Sequence, residues 1–218
     1  MKTVSETHSD RKHKSMVDAA RSLFLKQGYD GTSMEEIAIK AAVSKQTVYK
    51  HFADKKRLFE EIVLATTSQV DRVVGLVAGP LAETLDLKKD LRLLGRQFIA
   101  ELMDPRLLRL RRLVIANADR MPELGRAWYE QGFERVLGTL ASSFAALSKR
   151  HLLSLEDPLI AAHHFVGLLL WIPVNQAMFT GNDEPYTKAA LERYADAAVS
   201  AFLSAYTAKG KATIRSSR

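Results

Sequence analysis

Apolar residues recur at intervals of three and four along most of the chain, and no stretch alternates apolar and polar positions for long enough to make a strand. The spacing predicts an all-α fold with helices near residues 9–28, 33–41, 44–51, 54–78, 85–103, 105–118, 121–148, 156–179 and 185–208. Gly79-Pro80, Asp104-Pro105, Met121-Pro122, Asp157-Pro158 and Glu184-Pro185 fall between the periodic stretches. Proline is tolerated in a first helical turn, where its missing N–H would have had no partner. Pro173, by contrast, sits inside the eighth predicted helix and should kink it.

The most specific pattern lies between residues 32 and 58. Ser33 stands three residues before Glu36, a reciprocal capping arrangement, and Met34, Ile37, Ala38 and Ala41 follow at helical spacing. A turn at Ala42-Val43 leads to Ser44, placed to cap a second short helix. Val48 and Phe52 point inward from that helix, one turn apart, leaving Lys45, Gln46, Thr47, Tyr49, Lys50 and His51 for its outer face. Amide and ammonium groups in such a row can bond base edges in a DNA major groove, while hydroxyls and cations hold phosphates. The fourth helix starts at Asp54 with Lys55, Lys56 and Arg57 in its first turn. It then becomes apolar through Leu58, Phe59, Ile62, Val63, Val70, Val73 and Val74, which predicts one rigid rod over 54–78.

Charge supports a polyanionic partner at the front of the chain. The net charge is +7, of which residues 1–60 supply 12 basic against 8 acidic side chains and residues 61–208 supply 16 against 17. The final ten residues add Lys209, Lys211, Arg215 and Arg218, read as a flexible solvated tail. With 218 residues and 47% apolar content the chain can bury a substantial core in one or two domains. There is no run of 18 apolar residues, so no membrane span or membrane partner is expected. Residues 8–14 lack the apolar stretch of an export signal, and the absence of cysteine fits a cytoplasmic protein.

Elsewhere the chemistry is less explicit. Trp128, Tyr129, Phe133, Phe144, Phe165, Trp171, Phe179, Tyr194, Phe202 and Tyr206 supply aromatic surface for a core, a cavity and an interface, and sequence does not apportion them. The eighth and ninth helices carry more apolar surface than one chain needs to cover, which predicts a homodimer through a four-helix interface. Ile160, Leu168, Trp171, Tyr194, Ala198 and Phe202 are its expected contacts. His163-His164 is a poor metal pair, because adjacent helical residues diverge by about 100° and no third ligand is placed, so no metal site is expected. Arg106, Arg109 and Arg112 share one helical face and read as a solvated stripe. No phosphate loop, nucleophile elbow, His-Glu metal motif or cysteine nucleophile is present, so neither enzymatic activity nor a cofactor is expected.

Ala20, Phe24, Gly28, Tyr29, Thr32, Ile37, Ala38, Val43-Ser44-Lys45, Thr47-Val48-Tyr49, His51-Phe52, Lys55 and Leu58-Phe59 together resemble the DNA-binding domain of TetR-family transcriptional regulators. Residues 106–124 are similar to the C-terminal domain of an AefR-like subgroup. Two positions depart from the family pattern: Ala42 stands where glycine is usual, and Gln46 where glycine or proline is frequent. A residue with a Cβ forced to positive φ costs roughly 1 kcal/mol, whereas Gln46 adds an amide able to pair with adenine.

The resemblance implies a DNA-binding domain over 1–54, a ligand-binding and dimerisation domain over 55–208, and a basic tail over 209–218. Thr32, Ser44, Lys45, Gln46, Thr47, Tyr49, Lys50, His51, Lys55 and Lys56 would contact DNA, with Lys55 and Lys56 on flanking phosphates. Phe98, Leu102, Leu113, Asn117, Trp128, Phe133, Phe165 and Asn175 would line a small-molecule pocket. The expected function is that of a dimeric repressor released from a palindromic double-stranded DNA operator by a small hydrophobic effector. The alternative is a DNA-binding activator or nucleoid-associated factor that has no effector.

Overall fold

A computed structural model describes residues 8–65, 67–78, 81 and 83–207, so the basic tail and the Gly79-Pro80 pair lie outside the described residues. The expected all-α fold is found, and among the described residues there is no strand. The helices are α1 (His8–Gln27), α2 (Met34–Lys40), α3 (Lys45–His51), α4 (Lys55–Leu64), α5 (Thr67–Ala78), α6 (Leu87–Leu102) and α7 (Pro105–Ala116). They continue as α8 (Pro122–Trp128), α9 (Arg135–Lys149), α10 (Pro158–Thr180) and α11 (Lys188–Tyr206).

Two predicted helices are each divided. The rod expected over 54–78 is instead α4 and α5, because α4 ends at Leu64 with Ala65 as its C-cap. Apolar spacing continues on both sides of that cap, so periodicity alone gives no sign of the break. The helix expected over 121–148 is α8 and α9 joined by a π-helical stretch, Tyr129–Glu134. An added residue per turn of this kind does not alter apolar periodicity enough to be seen in sequence. A smaller correction concerns α11, which begins at Lys188 instead of near 185, because Thr187 Oγ1 accepts from the Ala190 N–H at 3.2 Å and so caps it.

The chain forms two compact units. The first comprises the described residues up to Ser68 together with Arg109–Gln131. Its core joins Met16, Ala20 and Phe24 of α1 and Ile37 of α2 to Val48 and Phe52 near α3. Leu58, Phe59 and Ile62 of α4 belong to it, as do Leu113, Val114, Met121 and Leu124. Phe24, Tyr29 and Phe59 form an aromatic cluster with centroids 5.2 to 5.7 Å apart, and Phe24 meets Phe59 edge-on. Edge-to-face contacts of this kind add to the area the rings bury.

The second unit comprises Gln69–Leu108 and the described residues from Gly132 onward. Phe144, Phe165 and Phe202 lie at its centre, with ring centroids 5.2 to 5.6 Å apart. Helices α6 and α11 pack closely because Gly95 has no side chain: a Cβ there would lie 2.9 Å from Val199 Cγ2. One turn of contact is also clipped by Arg96, which donates to both Asp196 oxygens at 2.8 and 2.6 Å. Pro173 is accommodated within α10 and is buried.

Two stability outcomes follow from these contacts. Gly95→Ala should destabilise the second unit by about 1–3 kcal/mol through overpacking, and adding Val199→Ala should recover part of that loss in denaturant titrations. Ala42 adopts φ 54°, the left-handed conformation that its sequence position suggested. Ala42→Gly should therefore raise stability by up to about 1 kcal/mol, read from the same titrations.

Candidate nucleic-acid interface

Helices α2 and α3 are each seven residues long, too short to persist alone, so caps and burial hold them. At α2 the Ser33 side chain accepts from the Glu36 N–H at 3.2 Å, and the Glu36 carboxylate accepts from the Ser33 N–H at 2.8 Å. The carboxylate also accepts from the Ser33 hydroxyl at 2.9 Å and from Gln27 Nε2 at 3.3 Å, and these hydrogen bonds hold the Glu36 carboxyl below its usual range. At α3 the Ser44 hydroxyl accepts from the Thr47 N–H at 3.1 Å, and the two hydroxyls lie 2.8 Å apart. Val48 is fully buried and Phe52 nearly so, which fixes the rotation of α3 about its axis.

That rotation turns Lys45, Gln46, Tyr49 and Lys50 outward, with Thr47 and His51 half-buried beside them. Tyr49 is 44% exposed and lies under Lys45, whose Nζ is 5.8 Å from its ring centroid. The surface therefore offers an amide, a phenol, two ammonium groups and an imidazole along two turns of one helix. His51 lies with its ring centroid 5.8 Å from that of His13, which in turn pairs with Glu61 at 2.5 Å.

Acidic neighbours occupy two of the cations. Lys45 pairs with Glu35 of α2, and Lys56 pairs with Glu123 of α8. In each case the side-chain hydrogen bond is the main cause of a carboxyl lowered and an ammonium raised from its ordinary range. All four groups are solvated, so these pairs contribute little to stability and can be exchanged for phosphate contacts.

Two residues expected at the surface are instead engaged internally. Thr32 is 2% exposed, and its hydroxyl donates to the Gly28 carbonyl at 2.8 Å. Its side chain closes the loop between α1 and α2. Lys55 is half-buried, and its Nζ donates to the carbonyls of Tyr29 and Thr32.

Sequence reasoning missed Arg111, which is 7% exposed in the first unit. Burial pushes its guanidinium down to about 10, still charged at neutral pH. Leu107, Leu108 and Val114 stand three and four residues away on α7, and that apolar flank was the available signal. In the arginine stripe, Arg106 is exposed and pairs with Asp104 at 3.3 Å, whereas Arg109 and Arg112 are half-buried.

The residues expected around a small molecule divide between the units. Leu113, Asn117 and Trp128 belong to the first, where Leu113 and Asn117 are buried and Asn117 Nδ2 donates to the Leu113 carbonyl at 2.8 Å. Phe98, Leu102, Phe133, Phe165 and Asn175 belong to the second. Phe98 and Phe165 share its core, and Leu102 packs against that core. Phe133 is half-buried in the π-helical stretch. Asn175 lies one turn beyond Trp171 and donates to its carbonyl at 2.7 Å, on the outward side of α10. A separate open cleft of about 670 Å³ runs between α6 and the α10–α11 loop, lined by Leu93, Gln97, Met103, Tyr186 and Leu191 among others. None of the expected pocket residues lines it.

The residues expected at a dimer contact also separate. Ile160, Leu168 and Trp171 are 46%, 40% and 68% exposed along α10, next to Leu159, Ile172 and Phe179, which are exposed as well. Tyr194 is half-buried, while Ala198 and Phe202 lie inside the chain's own core and have little surface to offer a partner. On α11 the exposed small residues are Ala189, Ala197, Ser200, Ala201, Ser204 and Ala205. By length and apolar content α10 could cross a bilayer, and a third of its most apolar window is buried within the chain. His164 Nδ1 pairs with the Tyr206 hydroxyl at 2.5 Å, and among the described residues no three His, Asp or Glu side chains converge as metal ligands would.

Residues 16–62 match the model for bacterial regulatory proteins of the tetR family, and residues 89–208 match that for the C-terminal domain of AefR-like transcriptional repressors. A solved TetR-family transcriptional regulator from Mesorhizobium loti is 56% identical and superposes with a TM-score of 0.85, covering 93% of this chain and 100% of its own. The flavonoid-responsive regulator FrrA is 28% identical with a TM-score of 0.72, over 92% of this chain and 99% of its own. The transcriptional regulator YvkB of Bacillus subtilis is 34% identical over 90 residues, 41% of this chain. The matched stretch spans 44% of YvkB, less than half the length of that curated relative. These relatives are regulators of transcription. A capped two-helix reader at the front of the chain and an AefR-like helical domain behind it place this protein in the TetR family of bacterial transcriptional regulators.

Proposed function

We propose that the protein is a homodimeric repressor that reads a two-fold symmetric DNA operator with α3 and is released by a small hydrophobic effector. The observation that carries the DNA reading is the orientation of α3. Burial of Val48 and Phe52 leaves Lys45, Gln46, Tyr49 and Lys50 as its outward side chains. Gln46 and Lys45 are assigned to base edges, and Thr47, Tyr49, Lys50 and His51 to phosphates or the groove wall. Ser44 is the cap that aims the helix, and Lys56 exchanges Glu123 for a flanking phosphate. In functional terms residues 1–54 read DNA and residues 55–208 sense the effector and dimerise.

The exposed face of α10 supports the dimer. A helix that is apolar around its circumference and only partly buried needs a further cover, and a second copy supplies an identical strip. Ile160, Leu168 and Trp171 are its anchors, with Tyr194 at the edge and Ala197, Ala201 and Ala205 allowing close approach. The effector reading rests on the aromatic interior of the second unit around Phe98 and Phe165, against which Leu102 packs. Likeness to flavonoid-responsive FrrA makes planar aromatic compounds the first effectors to try.

The test is selection of bound duplexes from a random pool at near-physiological salt. A symmetric site with half-centres about 34 Å apart is expected, and retention without any motif would overturn the specific-regulator reading. On the selected duplex, Gln46→Ala should relax preference at one base position per half-site by about 1–3 kcal/mol, measured by competition with single-base variants. Trp171→Glu should leave the fold intact but weaken self-association at least about tenfold, seen as monomers in sedimentation velocity at micromolar concentration.

A further inference from the structure

The ammonium of Lys55 sits at the edge of the reading surface, yet two of its three donors are already engaged. Lys55 is the first residue of α4. Its Nζ donates to the Tyr29 carbonyl at 2.8 Å and to the Thr32 carbonyl at 2.9 Å, and it lies 4.4 Å from the centroid of the Tyr29 ring. A lysine ammonium has three N–H donors and no acceptor. Two are spent on backbone oxygens, and the remaining charge faces a π-cloud. Burial, and then the Asp54 carboxylate, push the Tyr29 phenol up, so the ring stays neutral beneath the cation.

Both carbonyls belong to the loop between α1 and α2. The rest of that loop is closed by its own side chains: Thr32 Oγ1 donates to the Gly28 carbonyl at 2.8 Å and Gln27 Nε2 to the Gly31 carbonyl at 2.7 Å. Asp30, also in the loop, is held by Arg120 at 2.5 Å. Thr32 directly precedes Ser33, the N-cap of α2, and α2 packs on α3. Lys55 therefore ties the first turn of α4 to the entry of α2. Swinging the ammonium out to a phosphate would strip two carbonyls of their strongest donor and undo that tie. The neighbouring Lys56 carries no such commitment, since its partner Glu123 is itself solvated.

We infer that Lys55 is a positioning residue, which sets the angle of the α2–α3 pair against α4 through the Tyr29 and Thr32 carbonyls and does not hold a DNA phosphate. This rests on the DNA reading proposed above, and it reverses the role that the sequence alone suggests for this lysine. Loss of the ammonium should then harm sequence-specific binding through geometry while leaving the phosphate count unchanged.

Lys55→Met keeps the length of the stem and removes the donor, and two readouts decide the matter. In DNA-free protein, amide exchange at Glu36 and Ile37 should quicken about tenfold or more, because the entry of α2 is no longer pinned. A phosphate contact would not alter exchange in the absence of DNA, so unchanged protection overturns the inference. On the selected duplex, affinity should fall about tenfold with the salt slope unchanged, whereas loss of a phosphate contact would lower the slope by about 0.9 and weaken a scrambled duplex equally. That second pattern also overturns the inference. Should Lys55→Met fail to fold, Lys55→Gln retains one carbonyl donor without charge and is read in the same two ways. If selection returns no symmetric site the DNA reading fails, and the exchange measurement still tests the tie by itself.

Discussion

The reading surface depends on the burial of Val48 and Phe52. A seven-residue helix cannot hold its own conformation in water, so α3 takes its existence and its rotation from the core it is anchored in. Every outward residue of α3 is outward because those two are inward. The Ser44 cap fixes where the helix begins, and the Ser33–Glu36 box does the same for α2. These local bonds are each worth about 1 kcal/mol, and they matter because they remove alternative registers of the turn. The positive φ at Ala42 shows the same constraint from the other side. The turn is held in a conformation that its own residue disfavours, because the packing on both sides requires it.

The core that anchors α3 is assembled from distant parts of the sequence. Leu113, Val114, Met121 and Leu124 come from a segment some fifty residues beyond α4, and they share one buried cluster with Phe24, Ile37 and Phe59. Arg120 on Asp30 and Lys56 on Glu123 link the same segment to the loop before α2 and to the first turn of α4. The compact unit that carries the reader is therefore larger than the helix-turn-helix itself. A change in the Arg109–Gln131 segment has a direct physical path to α4, through side chains already in contact within this unit.

Much of this was legible in the sequence, and what was not has physical reasons. The capping pairs, the inward Val48 and Phe52, and the all-α class follow from short-range chemistry, and local rules reach them. The division of the predicted rod near Ala65 and the π-helical stretch at Tyr129–Glu134 leave apolar periodicity nearly intact, so spacing alone does not reveal them. Thr32 and Lys55 illustrate a second limit. Their residue types suit a DNA contact, but which donor finds which carbonyl is decided by loop closure, a tertiary event. Ala198 and Phe202 illustrate a third: α11 is apolar on more than one face, and only packing shows which face the chain buries in its own core. Arg111 is the converse, a charge drawn into the core by its apolar neighbours on α7.

The central claim is that two copies of one rigidly aimed helix read DNA together. Hydroxyl-radical footprinting of the protein on the selected duplex tests it most directly. Two protected patches on one face of the duplex, related by symmetry and separated by about one helical turn, are the expected result. A single patch, or protection that spreads without phase as protein is added, would contradict it.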